Sequence, residues 1–198
     1  MVYNIVLSRR QISNNYFEGT FVGLWHFNES TGTVAVDSSG QDNNGTVSGA
    51  AWTTGKFGNE LNFDGVDDYV QAGHNPILNP TTSGWTVEMW VKPESQGWNK
   101  WLIEKNGSFD IVGENAGNYK MRFSINGLTP NYVDATKSIN NLVDGAYHHL
   151  AFVYDGSTSK IYIDGVLDAS ISQTGTPTGS SNSLYIGNWF YLNGPYKG

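Results

Sequence analysis

Oxygen-bearing side chains hold most of the chemistry this sequence could do. Asp64, Asp67 and Asp68 crowd into the stretch Glu60 to Ala72, ELNFDGVDDYVQA. Three carboxylates so close make either a solvated turn or a cation site, and Asp64-Gly65 has the chemistry of a turn. The segment Asp37 to Asn44, DSSGQDNN, gathers more oxygens: carboxylates, amides and turn carbonyls in one loop. Calcium takes about six to eight oxygens, which makes Asp37, Asp42 and Asn43 candidate ligands of a structural Ca²⁺. The same residues suit a plain Asx-rich turn. Hydrolytic chemistry has less to work with. A glycosidase needs two carboxylates across one bond, yet Glu88 has no acidic partner two residues away and Glu94 lies beyond Pro93. No G-x-S-x-G elbow or H-E-x-x-H pair is present. His148 and His149 are adjacent, and neighbours on a strand face opposite sides, which predicts a packed or hydrogen-bonded pair rather than a chelate. The sequence predicts no enzyme and no catalytic residue.

Aromatic side chains offer a second chemistry, stacking on the faces of sugars. Trp98, Trp101, Tyr132, Trp189, Phe190 and Tyr191 lie outside the strongest alternating runs. Of these, Trp98, Trp101, Tyr132, Trp189 and Tyr191 are the candidate ligand-binding residues. Packing in a core or at its rim suits each of them as well, because sandwiches bury most of their tryptophan. The string Gly97-Trp98-Asn99-Lys100-Trp101 sets polar residues between two indoles and is the best of the group. Asn28-Glu29-Ser30, Asn44-Gly45-Thr46 and Asn106-Gly107-Ser108 are sequons, a weak signal because such triplets are common.

Composition limits what can position these groups. The chain has 198 residues, 38% hydrophobic and 14% aromatic, with 24 Gly and only 15% charged residues. That is a turn-rich, aromatic-cored β protein of sandwich size. Net charge of −7 and a pI near 4.9 argue against nucleic acid, whose phosphates need a basic surface. Cysteine is absent, so there is neither a disulfide framework nor thiolate chemistry. No apolar run has the length of a membrane span, and MVYNIVLSRRQ does not have the layout of a signal peptide.

The elements read as short strands between glycine turns. Val2 to Leu7 is a strand, and Ser8 to Tyr16 a short helix or turn. FVGLWHF, Phe21 to Phe27, is a strand with Phe21, Leu24, Trp25 and Phe27 as core candidates. Val34 to Val36 and Thr46 to Trp52 follow, then a loop over Thr53 to Asn59 and a hairpin through Asp64-Gly65. Trp85 to Lys92 alternates strictly, with Trp85, Val87, Met89 and Val91 on one face. YKMRFSI, Tyr119 to Ile125, sets Lys120, Arg122 and Ser124 against an apolar face. Tyr147 to Tyr154, Lys160 to Ile163, Val166 to Ile171 and Leu184 to Trp189 complete the set. No helical period appears. The expectation is an all-β, two-sheet antiparallel sandwich.

Taken in order, GLWHFNESTGTVAVDSSGQDNNGTV, TGKFG, LNFDGVDDYV, WTVEMWVKP, YHHLAFVYDGSTSKIYIDGVLDAS and SLYIGNWF resemble the laminin G-like jelly-roll domain, of the concanavalin A-like lectin and glucanase group. The likeness covers roughly residue 21 to the end. It implies a jelly roll, and in this group the 37–44 loop together with an Asp of the closing strand is thought to hold calcium. Tyr3 and Asn4 stand where that strand's Asp-Glu would be. Glucanases of this fold carry alternate carboxylates on one strand, and none are seen here. The closing strand itself is missing after Gly198, while Met1 to Ser13 fits its pattern without a gap. Residues 1–20 therefore read as a closing strand and tail that is permuted, donated by another copy, or left from a preceding domain, and 21–198 as the sandwich. The implied function is a non-catalytic binding or adhesion module, extracellular or on a cell surface, for a glycan or a protein. The alternative is a structural subunit of a surface filament or virion, self-associating through residues 1–13.

Overall fold

A computed structural model describes the chain except residues 1, 14–15, 95–99, 115–119 and 189–194; the side chains of 2–4, 6, 8–19, 114 and 137–140 also lie outside the description. Strand β1 (Val2–Ser13) forms a hairpin with β2 (Tyr16–Trp25). Then come β3 (Val34–Ala35), β4 (Gly45–Ser48), β5 (Ala51–Gly55), β6 (Gly58–Asn62) and β7 (Tyr69–Ala72). The middle of the chain gives β8 (Trp85–Val91), β9 (Lys100–Lys105), β10 (Phe109–Glu114) and β11 (Lys120–Ile125). β12 (Leu128–Thr129), β13 (Tyr132–Ser138), β14 (His148–Tyr154) and β15 (Thr158–Ile163) follow, and β16 (Val166–Ser172), β17 (Thr174–Gly175) and β18 (Leu184–Ile186) end the series.

Two eight-stranded antiparallel sheets pack face to face. The first runs β16-β15-β14-β8-β1-β6-β5 with β2 on β1, and the second runs β13-β11-β10-β9-β18-β7-β4-β3. β12 and β17 make a small separate pair. Alternation decides which residues meet in the middle. β8 buries Trp85, Val87, Met89 and Val91 as its pattern requires. Contacts span the sheets: Trp85 meets Phe109 edge-on at 5.6 Å, and Phe123 meets Phe152 at 5.8 Å between ring centroids. Each such ring, fully withdrawn from water, contributes about 1.5–3 kcal/mol.

Several expectations about elements are corrected. Ser8 to Ser13 belongs to strand β1 rather than to a helix or turn, and β1 and β2 supply each other's backbone partners from Arg9↔Thr20 to Ser13↔Tyr16. Phe21 is 49% exposed and Leu24 half-buried, whereas Val22, Trp25 and Phe27 are in the core. Thr46 to Trp52 divides at Gly49 (φ +79), and β4 and β5 go to different sheets. A side chain at Gly49 would meet the Asp68 carboxylate at 2.0 Å, so the chain crosses there on glycine. Thr53 to Asn59 is the β5–β6 hairpin rather than a loop. Nor is FDGVDDY a hairpin: β6 and β7 also lie in opposite sheets.

The chain ends meet inside the first sheet. Asp64 pairs with Lys197, and Phe63 exchanges both backbone hydrogen bonds with Gly198, at 3.0 and 3.1 Å. Leu61 then pairs with Val2. Residues 197, 198 and 2 thus face 64, 63 and 61 in antiparallel order, and one register position, opposite Asn62, separates them. On its other side β1 runs along β8 from Val2↔Val91 to Ser8↔Thr86.

Candidate functional site

The outer face of the second sheet carries a cleft of about 490 Å³. Four strands build it, and their registers set two rows of side chains on one face. Glu104, Asp110, Ser124 and Tyr132 are successive partners across β9, β10, β11 and β13; Trp101, Val112, Arg122 and Asp134 form the next row. A bulge makes the second row possible. Ile111 faces Ile103, but Val112 faces Trp101, so Leu102 is an extra residue on β9. Without it Leu102 would take that outward position and Trp101 would turn away; bulges beside sites commonly re-aim a side chain in this way.

The row side chains are held by one another. Arg122 reaches Asp134 with Nε at 2.8 Å and a second nitrogen at 3.4 Å, and its guanidinium lies 4.0 Å from the Tyr132 ring centroid. A two-point ion pair with ring stacking fixes a flat plate at that end of the cleft. Ser124 Oγ donates to Asp110 Oδ1 at 3.0 Å. Glu104 is only 5% exposed. Beyond it Tyr185 stands opposite Glu104; burial, then the neighbouring Tyr69 and Glu104, push its phenol above the ordinary value. Asn106, Asn126 and Asn131 line the loop end. Their backbone carbonyls accept from Asn182 Nδ2, Thr178 N and Ile125 N, while none of their side-chain amides hydrogen-bonds the described chain. Lys105, the last residue of β9, turns the other way: it is fully buried, and its ammonium donates to the Asn182 carbonyl.

Among the aromatic candidates, Trp101 and Tyr132 share this cleft, half-buried and 40% exposed respectively. Trp98, Trp189 and Tyr191 lie outside the described residues. Glu104, Asp110 and Arg122 were not among the candidates. The polar face of YKMRFSI signalled Arg122 and Ser124. Glu104 and Asp110 carried no local signal, since they are opposed across two strands rather than spaced along one.

The Asp37 loop is closed from within. Asp37 Oδ1 accepts from the backbone of Leu24 and Ser39, and Oδ2 accepts from Asn43 N and Ser39 Oγ, all at 2.8–2.9 Å. Those four donors match the roughly four lone-pair sites of a carboxylate, so a cation at Asp37 would have to displace them. Asn43 is buried and donates to Val22 O, while Asp42 is exposed with φ of 56°. The three carboxylates of Asp64, Asp67 and Asp68 lie within 4.8 Å of one another. Asp68 is buried and accepts from Asp64 N; burial, with the nearby Asp64 and Asp67, holds its carboxyl above the usual range. The histidines point to opposite sides. His148 bonds Asp164 at 2.8 Å and Asp144 at 3.1 Å, and His149 packs on Trp90 with Glu88 3.7 Å away.

Residues 64–198 match the family model of the concanavalin A-like lectin/glucanases superfamily. No curated protein matches the sequence. Among solved structures, domain 4 of AbnA, an extracellular arabinanase from Geobacillus stearothermophilus in complex with arabinotriose, superposes with a TM-score of 0.60 at 23% identity. That match covers 82% of this chain and 81% of that one. Domains LG4-5 of the mouse laminin α1 chain superpose with a TM-score of 0.52 at 14% identity, over 69% of this chain and 38% of that one. At such identities the likeness is one of fold. Among the described residues no helix is long and apolar enough to cross a membrane. The family match spans more than half of the sequence, and the protein belongs to the concanavalin A-like lectin/glucanase superfamily.

Proposed function

We propose that this domain is a non-catalytic carbohydrate-binding module, acting outside the cell, with its ligand in the cleft of the second sheet. The observation that carries this reading is the company of side chains there. Trp101 and the Tyr132–Arg122 plate offer flat faces for the C–H side of a sugar, and the amides of Asn106, Asn126 and Asn131 offer donors and acceptors for hydroxyls. A superposable domain from an extracellular arabinanase, solved with arabinotriose, supports the same class of ligand and location. The test is a glycan array followed by calorimetric titration of the best hit. Tyr132→Ala and Trp101→Ala should each weaken binding about 5- to 100-fold while leaving the melting curve in place, the range expected for a lost ring contact. A silent array would refute the reading. Opposed carboxylates at Glu104 and Asp110 make the non-catalytic part a separate test: common β-glucans should release no reducing ends, and release abolished by Glu104→Gln would overturn it.

A second reading, self-association by exchange of β1, draws on the seat of that strand between β8 and β6 and on its pairing with β2, which an exchange would have to give up. Concentration-dependent oligomers on size exclusion would favour it, and a monomer at all concentrations would remove it.

A further inference from the structure

We infer, on the strength of the carbohydrate reading, that the cleft selects uncharged glycans and rejects those carrying carboxylate or sulfate. The fixed charges of its lining are the reason. Glu104 and Asp110 stand directly opposite each other on β9 and β10, and both line the floor. Arg122 is the one basic side chain among the described lining residues. Both of its hydrogen bonds to Asp134, and the stack on Tyr132, use it up within the chain. Of the other lysines on these strands, Lys105 is buried with its ammonium on the Asn182 carbonyl, Lys100 and Lys120 sit at strand ends outside the lining, and the side chain of Lys137 lies outside the described residues. An acidic sugar would therefore meet two carboxylates and an arginine already neutralised, with a chain of net charge −7 behind them. Hydroxyls suffer no such penalty, because the amides of Asn106, Asn126 and Asn131 hydrogen-bond either way. Rejection by placed like charges is how sites commonly discriminate between ligands of one shape.

The test compares neutral oligosaccharides with matched oligomers bearing uronate or sulfate, by array and then by titration at low and high salt. The neutral sugar should bind about tenfold tighter or more at low salt, with the gap narrowing as salt screens the repulsion. Glu104→Gln should raise the affinity for the acidic oligomer relative to its neutral partner. Asp110→Asn, at a less buried position, gives the same readout if the first variant misfolds. Equal or tighter binding of the acidic sugar, lost in Tyr132→Ala, would overturn the inference and leave the cleft as the binding site. Failure of both sugar classes to bind would overturn the inference together with the carbohydrate reading.

Discussion

Lys105 is a cation placed where the fold has least use for one. Its side chain is fully buried and its ammonium has the Asn182 carbonyl as partner, with no carboxylate of the described chain beside it. Burial lowers its pKa from 10.5 to about 8. At 1.36 kcal/mol per unit, that gap is a penalty of roughly 3 kcal/mol wherever the unfolded chain carries the charge. A lysine with a depressed folded pKa is penalised in full below about 8, and the penalty fades as pH rises toward 10.5. Lys105→Met keeps the length and removes the charge. The Asn182 carbonyl then loses a donor, at a cost of about 1 kcal/mol. The expected net gain at pH 7 is about 2 kcal/mol, or several degrees in melting temperature for a chain of this size. Urea denaturation of both proteins at pH 7, 8, 9 and 10 measures the difference, in which the titrating tyrosines common to both cancel. The advantage of the methionine variant should shrink steadily across that range. A variant that is less stable at pH 7, or a difference that ignores pH, would refute the reasoning.

Three further outcomes are expected. Burial alone would lower the pKa of His148, but its bonds to Asp164 and Asp144 outweigh that and hold it above 6.5; the stability it lends is complete below 6.5 and lost as pH rises through the folded value. Asp164→Asn should therefore destabilise more at pH 5.5 than at pH 8.5, read by denaturation at the two pH values, and equal losses would count against the clamp. EDTA should leave the melting temperature unchanged, because Asp37 already accepts four donors of its own chain; a drop of several degrees that calcium restores would overturn this, and its loss in Asp37→Asn but not in Asp64→Asn would assign the ion to this loop rather than to the Asp64, Asp67 and Asp68 group. Deleting residues 1–8 should unfold or aggregate the chain, since Ile5 and Leu7 are fully buried and each contributes about 1.5–3 kcal/mol. A soluble deletion melting like the full chain would make β1 dispensable.

Period-2 alternation made the first-sheet strands legible, and β8 is the clearest: Trp85, Val87, Met89 and Val91 are buried as the sequence implies. What alternation conveys is that a strand has one dry face, not which sheet holds it. That is why Thr46 to Trp52 read as one strand and Glu60 to Ala72 as one hairpin, although each divides between the two sheets. Trp101 and Tyr132 were recognisable as sugar-stacking types, but their meeting depends on pairings from β9 to β13 and on a bulge at Leu102. Glu104 and Asp110 were invisible for the same reason, because an opposed pair across strands leaves no spacing to read.

The junction between residues 198 and 2 has a topological consequence. Residues 197, 198 and 2 face Asp64, Phe63 and Leu61 in one register, with a single residue's place between 198 and 2, so joining the ends keeps that register. Ligated head to tail, the polypeptide becomes a ring whose folded form keeps the same contacts. Its denatured form loses the freedom of open ends, a stabilisation on the order of 5 kcal/mol by chain-entropy arguments. The joint lies in the first sheet, across the core from the cleft. A circularised protein should therefore bind as the linear one does and resist exopeptidases and heat that the linear one does not.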